Sequence, residues 1–106
     1  MVKRLWEELP HCAGRWIRVK KPGYISYGRL QEVYSDDGVM HFNCKWMIDY
    51  NDGVEGMPRL NALAVRLYAE KICADNLRSS EDRLVIMMDQ TIVTIYAEGF
   101  DPFKNF

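Results

Sequence analysis

Hydrophobic and polar residues alternate along several short stretches of the chain, which is the pattern of a half-buried β-strand. The clearest stretch follows Asp36-Asp37-Gly38, where the Asp-Gly pair supplies the positive φ angles of a tight hairpin turn. Every second residue from position 40 to 48 is apolar, so this segment is predicted to be a strand with one buried face. The residues assigned to that face are Met40, Phe42, Cys44, Trp46 and Ile48.

Residues 15–21 form a second alternating stretch. Ile17 and Val19 point to one side of this predicted strand, which makes that side the buried one. Pro22-Gly23 then ends the strand, because these two residues favour a turn.

Two further segments are predicted to be strands, although one of them has an open register. In the strand before the Asp37-Gly38 turn, Leu30 and Val33 share a face only if a bulge lies between them. Residues 83–99 carry β-branched residues on both sides of the polar pair Asp89-Gln90, and this predicts a second hairpin.

Two segments are candidates for helix. Residues 3–9 are long enough for two turns, and Pro10 would end them. Residues 58–75 favour a helix by composition and spacing, but the run from Leu63 to Leu67 also alternates, so a strand is the alternative. The residues at helical spacing are Leu60, Leu63, Ala64, Leu67, Tyr68 and Ile72.

Together these elements predict an α+β domain that is mainly antiparallel sheet. We expect the sheet to form an SH3-like or partly open small barrel with one packed helix. The 106 residues are 48% apolar and 27% charged, and no linker-like tract divides them, so residues 1–106 are predicted to be a single domain. The predicted core is Ile17, Val19, Phe42, Trp46, Ile48, Leu67, Ile86, Val93 and Ile95.

The sequence shows neither a membrane segment nor a disulfide framework. No apolar run approaches the ~20 residues that span a bilayer, and the N-terminus lacks the apolar core of a signal peptide. Cys12, Cys44 and Cys73 are an odd number at irregular spacing, which favours reduced thiols. We therefore expect a cytoplasmic protein with no membrane partner.

Charge is unevenly distributed along the chain. The net charge is −1, yet residues 1–30 hold seven Lys or Arg and only two Glu. The remaining residues hold seven Lys or Arg and thirteen Asp or Glu. The imbalance is strongest in residues 14–30, GRWIRVKKPGYISYGRL, where five cations and three large aromatic side chains lie close together. Cations can contact phosphates or acidic surfaces and aromatic rings can stack, so this stretch is the candidate binding site. A solvated edge strand protected by Lys and Arg is the alternative. The candidate binding residues are Trp16, Arg18, Lys20, Lys21, Tyr24, Tyr27 and Arg29.

Residues suited to metal binding or catalysis are sparse. His11, Cys12, His41 and Cys44 have the chemistry of zinc ligands, but His41 and Cys44 lie three apart on a predicted strand and so point to opposite faces. No glycine-rich phosphate loop is present. We predict no metal, no cofactor and no catalytic residue, and hence a protein that is not an enzyme.

Small and apolar residues in the first half of the chain are spaced like the start of a known module. These residues are Gly14, Val19, Lys20, Pro22, Gly23, Gly28, Leu30 and Val33. By their spacing, residues 13–50 resemble the KOW-type and Tudor-like modules of the SH3-like small-barrel superfamily. The resemblance implies a non-enzymatic module that contacts nucleic acid or protein through barrel loops.

These observations favour a small binding or regulatory protein that acts through protein–protein contacts, with a nucleic-acid-processing machine as one hypothesis for the partner. The alternative is a nucleic-acid-binding small-barrel module that uses residues 14–30. The overall charge of −1 favours the protein partner, because nucleic-acid-binding domains usually carry a basic excess. A homo-oligomer formed through an exposed sheet edge is a further expectation. The phenylalanine-rich tail 100–106 is expected either to pack on the domain's own core or to bind a partner.

Overall fold

The computed structural model describes residues 2–104, which form one short α-helix and eight β-strands. Three 3₁₀ helices connect them, at Leu9–Cys12, Ala69–Lys71 and Ala74–Asn76. The helix and strands are α1 (Val2–Glu8), β1 (Trp16–Lys21), β2 (Tyr24–Asp36), β3 (Val39–Asn51), β4 (Val54–Glu55), β5 (Arg59–Tyr68), β6 (Leu77–Ser79), β7 (Arg83–Met88) and β8 (Thr91–Tyr96).

All eight strands belong to one antiparallel sheet in the order β4-β3-β2-β1-β8-β7-β6, and β5 pairs with the other part of β3. Strands β1 to β4 are joined by sequential hairpins, and β5 returns to pair with β3. Strands β6 to β8 are a second set of sequential hairpins. The pairing of β1 with β8 joins the two sets into a single sheet.

The predicted small barrel is wrong. Among residues 2–104, β5 and β6 pair with only one neighbour each and not with one another, so the sheet is not closed. The two 3₁₀ helices at Ala69–Lys71 and Ala74–Asn76 separate these strands along the chain, and β6 is only three residues long. The described part of the chain therefore has no long strand in position to complete a barrel.

The predicted helix at residues 58–75 is also wrong, and the alternative strand is present as β5. The edge of β3 offers a backbone ladder along Val39–Met47, and this tertiary partner outweighs the helix propensity of the segment. A register shift beside Ala64 lets Ala62 and Val65 both face the core. The only helix with α geometry in the described chain is the seven-residue α1.

Two bulges lie opposite one another in the hairpin of β2 and β3. The extra residue is Gln31 in β2 and Lys45 in β3, and the register is restored beyond them. The bulge in β2 lets Leu30 and Val33 both point to the core, which resolves the register that the sequence left open.

The bulge at Lys45 changes which side chains of β3 are buried. Cys44 and Met47 are buried, whereas Trp46 and Ile48 are only partly buried and lie on the opposite face. Their prediction as core residues is wrong, because strict alternation of the strand is interrupted at the bulge. The other predicted core residues are confirmed, at no more than 2% exposed: Ile17, Val19, Phe42, Leu67, Ile86, Val93 and Ile95.

The core lies on one face of the sheet and is covered in part by the N-terminal segment. Leu5 of α1 and Leu9 and Cys12 of the following 3₁₀ helix are buried against it. The N-terminal helix predicted for residues 3–9 is confirmed, although Pro10 continues into a 3₁₀ helix rather than ending the helical backbone.

Asp-Gly pairs form the tight turns at both ends of β3. Asp37 and Gly38 adopt φ angles of 50° and 77° between β2 and β3, as the sequence predicts. Asp52 and Gly53 adopt 50° and 82° between β3 and β4, in a segment that the sequence analysis did not assign to a hairpin. Both turns suit a residue pair that tolerates left-handed backbone.

Phe42 is fully buried in the centre of the core, so Phe42→Ala is expected to lower the free energy of unfolding by about 3 to 5 kcal/mol. Urea unfolding followed by circular dichroism measures this change. The matched control is Met57→Ala, which truncates a side chain that is 85% exposed and should change stability by less than about 0.5 kcal/mol. Equal losses for the two variants would contradict the assigned core.

Gly28 of β2 pairs with Met47 of β3, two residues beyond the bulge at Lys45. A Cβ atom added there would lie 2.8 Å from the Trp46 carbonyl oxygen, 2.8 Å from Met47 Cγ and 3.0 Å from Cys44 Sγ. Because one of these contacts is backbone, the strand itself would have to move to accommodate a methyl group.

Gly28→Ala is therefore expected to destabilise the fold by about 1 to 3 kcal/mol through overpacking. The urea midpoint measures the loss, and Ser35→Ala, at an exposed position of the same strand, is the control. An unchanged midpoint for Gly28→Ala would show that β2 and β3 are less closely packed at the bulge.

Candidate functional site

Five of the seven predicted binding residues lie together on the face of the sheet opposite the core. Trp16 pairs with Arg29 and Arg18 pairs with Tyr27 across β1 and β2, and Lys20 continues the same side of β1. Side chains of paired residues share one face of a sheet, so these five form a continuous surface.

Strand β3 extends this surface with further aromatic residues. The bulge at Lys45 places Trp46 opposite Arg29, and Tyr50 lies two residues beyond Ile48 on the same side. We call the combined surface the aromatic-cationic face. It consists of Trp16, Arg18, Lys20, Tyr27, Arg29, Trp46 and Tyr50.

The rings of this face pack edge-on, and cations lie over them. The ring centroids of Trp16 and Trp46 are 5.1 Å apart with planes at 84°, and those of Tyr27 and Tyr50 are 6.1 Å apart at 87°. The Arg29 guanidinium carbon lies 5.5 Å from the Trp16 ring centroid, close enough for a cation–π contact. The rings and cations therefore hold each other in a fixed arrangement.

The C-terminal tail crosses the same side of the sheet. The Phe103 ring lies 5.4 Å from that of Trp16 and 4.8 Å from that of Tyr27. Nearer to β8, Phe100 stacks parallel to Tyr96 at 5.2 Å. The tail thus packs on its own domain, but on the outer face rather than on the predicted core. Phe106 lies outside the described residues.

No carboxylate of the residues that the structure describes neutralises the cations of the aromatic-cationic face. Among residues 2–104, Arg18, Lys20 and Arg29 form no ion pair. The Nε atom of Arg29 donates a hydrogen bond to the Gly14 carbonyl oxygen at 3.0 Å, which fixes its position without cancelling its charge.

Lys21 and Tyr24, the other two predicted binding residues, lie on the opposite side of the sheet. Lys21 pairs with Tyr24 at the end of the β1–β2 hairpin, and its Nζ lies 5.8 Å from the Tyr24 ring centroid. Tyr24 borders a small hollow with Asp49, Asn51 and Arg59. The predicted binding site is therefore split between two faces of the sheet. Lys21 lies at the same alternate positions of β1 as the buried Ile17 and Val19, and Tyr24 pairs with it, so both side chains lie on the core side.

Asp49 is the centre of a polar cluster at this end of the sheet. Its carboxylate accepts a hydrogen bond from the Ser26 hydroxyl and two from Arg59, at 2.9 and 3.0 Å. Burial disfavours the ionised carboxylate, but the Ser26 and Arg59 hydrogen bonds and the Arg59 charge outweigh it and lower the pKa of Asp49. The cluster fixes the end of β3 and keeps the Asp49 carboxylate hydrogen-bonded.

Two of the three thiols, those of Cys12 and Cys44, are buried, and the Cys73 thiol is exposed. Within residues 2–104, no group of three or more His, Cys, Asp or Glu side chains is placed to hold a metal ion. Burial raises the pKa of the Cys44 thiol to about 12 and also raises that of Cys12, which disfavours the nucleophilic thiolate. His41 stacks on Tyr34 at 4.7 Å, on the face opposite Cys44.

Comparison with protein-family models, curated proteins and solved structures found no match to this chain. The resemblance of residues 13–50 to KOW-type and Tudor-like modules is therefore neither supported nor contradicted by a relative. In the part of the chain that is described, no helix is long and apolar enough to cross a membrane.

Three members of the outer surface were not predicted from the sequence. Trp46 was assigned to the core because the bulge at Lys45 is not evident from the alternation. Tyr50 lies beyond the predicted strand segment 40–48, although its side chain faces the same side as that of Ile48. Phe103 was noted as part of the tail, but only the folded chain shows that it covers Trp16.

Because of Asp49, the stability of the fold is expected to decrease at low pH. Its folded-state pKa is below the ordinary 3.8, so it stabilises the fold above that pH, and this contribution is lost as pH falls through the folded-state value. Asp49→Asn should lower the melting temperature at about pH 7 and have little effect at about pH 2. Thermal unfolding at the two pH values measures the difference.

The control is Asp36→Asn, because Asp36 is exposed and forms no ion pair among the described residues. Its melting temperature should follow that of the wild type at both pH values. An Asp49→Asn effect that is as large in acid as at neutral pH would contradict the role assigned to the ionised carboxylate.

Proposed function

We propose that this chain is a non-enzymatic binding module and that its aromatic-cationic face contacts an acidic protein segment. The observation that carries the proposal is that two Trp, two Tyr and three cations lie together on the outer face of the sheet. Trp, Tyr and Arg are the residues most enriched at the energetically important centres of protein interfaces.

The ring geometry favours a protein partner over bases that stack. Trp16 has Trp46 and Phe103 packed edge-on against it and Arg29 over it, and Tyr27 is contacted by Phe103 and Arg18. A base needs an open ring face for stacking. Peptide side chains need only the irregular apolar surface that edge-on rings provide.

The charge of the face favours an acidic partner. Arg18, Lys20 and Arg29 add positive charge to a surface of a protein whose net charge is −1. Such a local patch attracts an acidic surface while the rest of the protein does not attract nucleic acid, and its main effect is on the association rate.

A single-stranded nucleic acid is the second candidate. It is favoured by the same combination of rings and cations on a sheet, which is the composition of known single-strand-binding surfaces. Binding of this kind would weaken steeply with salt, because each neutralised phosphate releases counterions.

Lys20→Glu and Lys21→Glu form a matched pair that tests the face, since the two lysines are adjacent but lie on opposite sides of β1. Tagged wild type and both variants are used to recover partners from the native cell, with and without nuclease. We expect a nuclease-resistant protein partner to be retained by the wild type and by Lys21→Glu. Lys20→Glu should lose it, and with the purified partner its association rate should fall by about tenfold.

Loss of the partner by both variants alike, or by neither, would contradict the role of this face. Labelled single-stranded DNA and RNA, titrated at two salt concentrations, test the second candidate. We expect negligible binding of both nucleic acids at either salt concentration. Tight binding with a log–log salt slope of about −0.7 per phosphate contact would replace the protein partner with a nucleic acid.

A further inference from the structure

A second concave region lies on the core side of the sheet, away from the aromatic-cationic face. A cleft of about 710 Å³ opens between the N-terminal helical segment and strands β6 to β8. It is present because the sheet is not closed at this end, so that the N-terminal segment covers the core side of β7 and β8 only in part.

The inner wall of the cleft is apolar. Leu5 and Leu9 line it from the N-terminal segment, and Leu77, Leu84 and Ile95 line it from the sheet. Leu77 and Leu84 are only partly buried, although both face the hydrophobic core. An apolar group that entered the cleft would therefore cover leucine surface that the fold itself leaves in contact with water.

One cation of the cleft is available to a ligand. Arg4 pairs with Glu8 at 3.0 Å, and Arg83 pairs with Asp82 at 2.9 Å. Arg15 forms no ion pair with any residue of the described range.

Negative charge also borders the cleft. Glu8 belongs to α1, where it is paired with Arg4, and Glu81 is exposed in the connection between β6 and β7. The cleft therefore suits a ligand with a single anionic group that lies close to Arg15, and it disfavours a ligand with several.

We propose that this cleft binds a small amphipathic organic anion, with its apolar body against the leucines and its acid group at Arg15. The volume lies in the range of about 300 to 1,000 Å³ that is usual for small-molecule sites. A charge-assisted bond from a guanidinium to a carboxylate gives the orientation, and apolar contact provides the larger area. The site does not depend on the proposed protein partner, because it lies on the other face of the sheet.

The probes are decanoate and its neutral analogue decanol, which share the apolar chain and differ in the acid group. Each is used to displace the fluorescent dye anilinonaphthalene sulfonate from the folded protein. We expect decanoate to bind about tenfold or more tightly than decanol to the wild type, which is the effect of one charge-assisted bond. Arg15→Gln should remove this preference and leave the affinity for decanol unchanged.

Two further variants separate the cleft from other apolar surface. Ser79 is exposed at the cleft, so Ser79→Trp should fill it and abolish displacement by both probes while the melting temperature stays near that of the wild type. Arg66→Gln changes an exposed cation of β5 and should bind like the wild type.

Several results would overturn the proposal. Equal affinity for decanoate and decanol in the wild type would remove the role of Arg15. Equal loss of decanoate binding in Arg15→Gln and Arg66→Gln would show a general charge effect. If the probes displaced the dye from folded Ser79→Trp protein as well as from the wild type, they would bind at a site other than the cleft.

Discussion

The pairing of β1 with β8 is the contact on which the rest of the sheet depends. Ile17 pairs with Ile95 and Val19 with Val93, and all four side chains are buried. These residues come from opposite ends of the chain, so the pairing closes a long loop and costs conformational entropy. Burial of branched apolar side chains offsets that cost. The register also makes the apolar sides of both sets of hairpins face one core.

The same register determines what the outside of the sheet presents. With Ile17 and Val19 buried, alternation places Trp16 and Arg18 on the outer face. The bulge at Lys45 then turns the following part of β3 so that its aromatic residues join them. The aromatic-cationic face is therefore a consequence of core packing and of one inserted residue, rather than of a separate loop or domain.

The two faces of the open sheet offer different chemistry. On the outside, rings, cations and the C-terminal tail contact one another, so much of the surface is already ordered before any partner arrives. On the core side, the unclosed end leaves leucines in contact with solvent beside a cation. A closed barrel would have buried this region, so the cleft is open to solvent because the sheet is not closed.

The sequence by itself determined the local elements: the strand alternation, the Asp37-Gly38 turn and the phase that places Trp16, Arg18 and Lys20 on one side. The alternation of apolar and polar residues and the residue preferences of turns depend on only a few neighbouring residues, so both can be predicted without knowledge of the fold. Only the tertiary structure decided that Arg59–Tyr68, within the segment 58–75, form a strand and that Trp46 leaves the core. Both outcomes depend on a partner strand and its bulges, because backbone hydrogen bonds across a sheet outweigh local propensity. The open end of the sheet has the same origin, since closure depends on which distant strands meet.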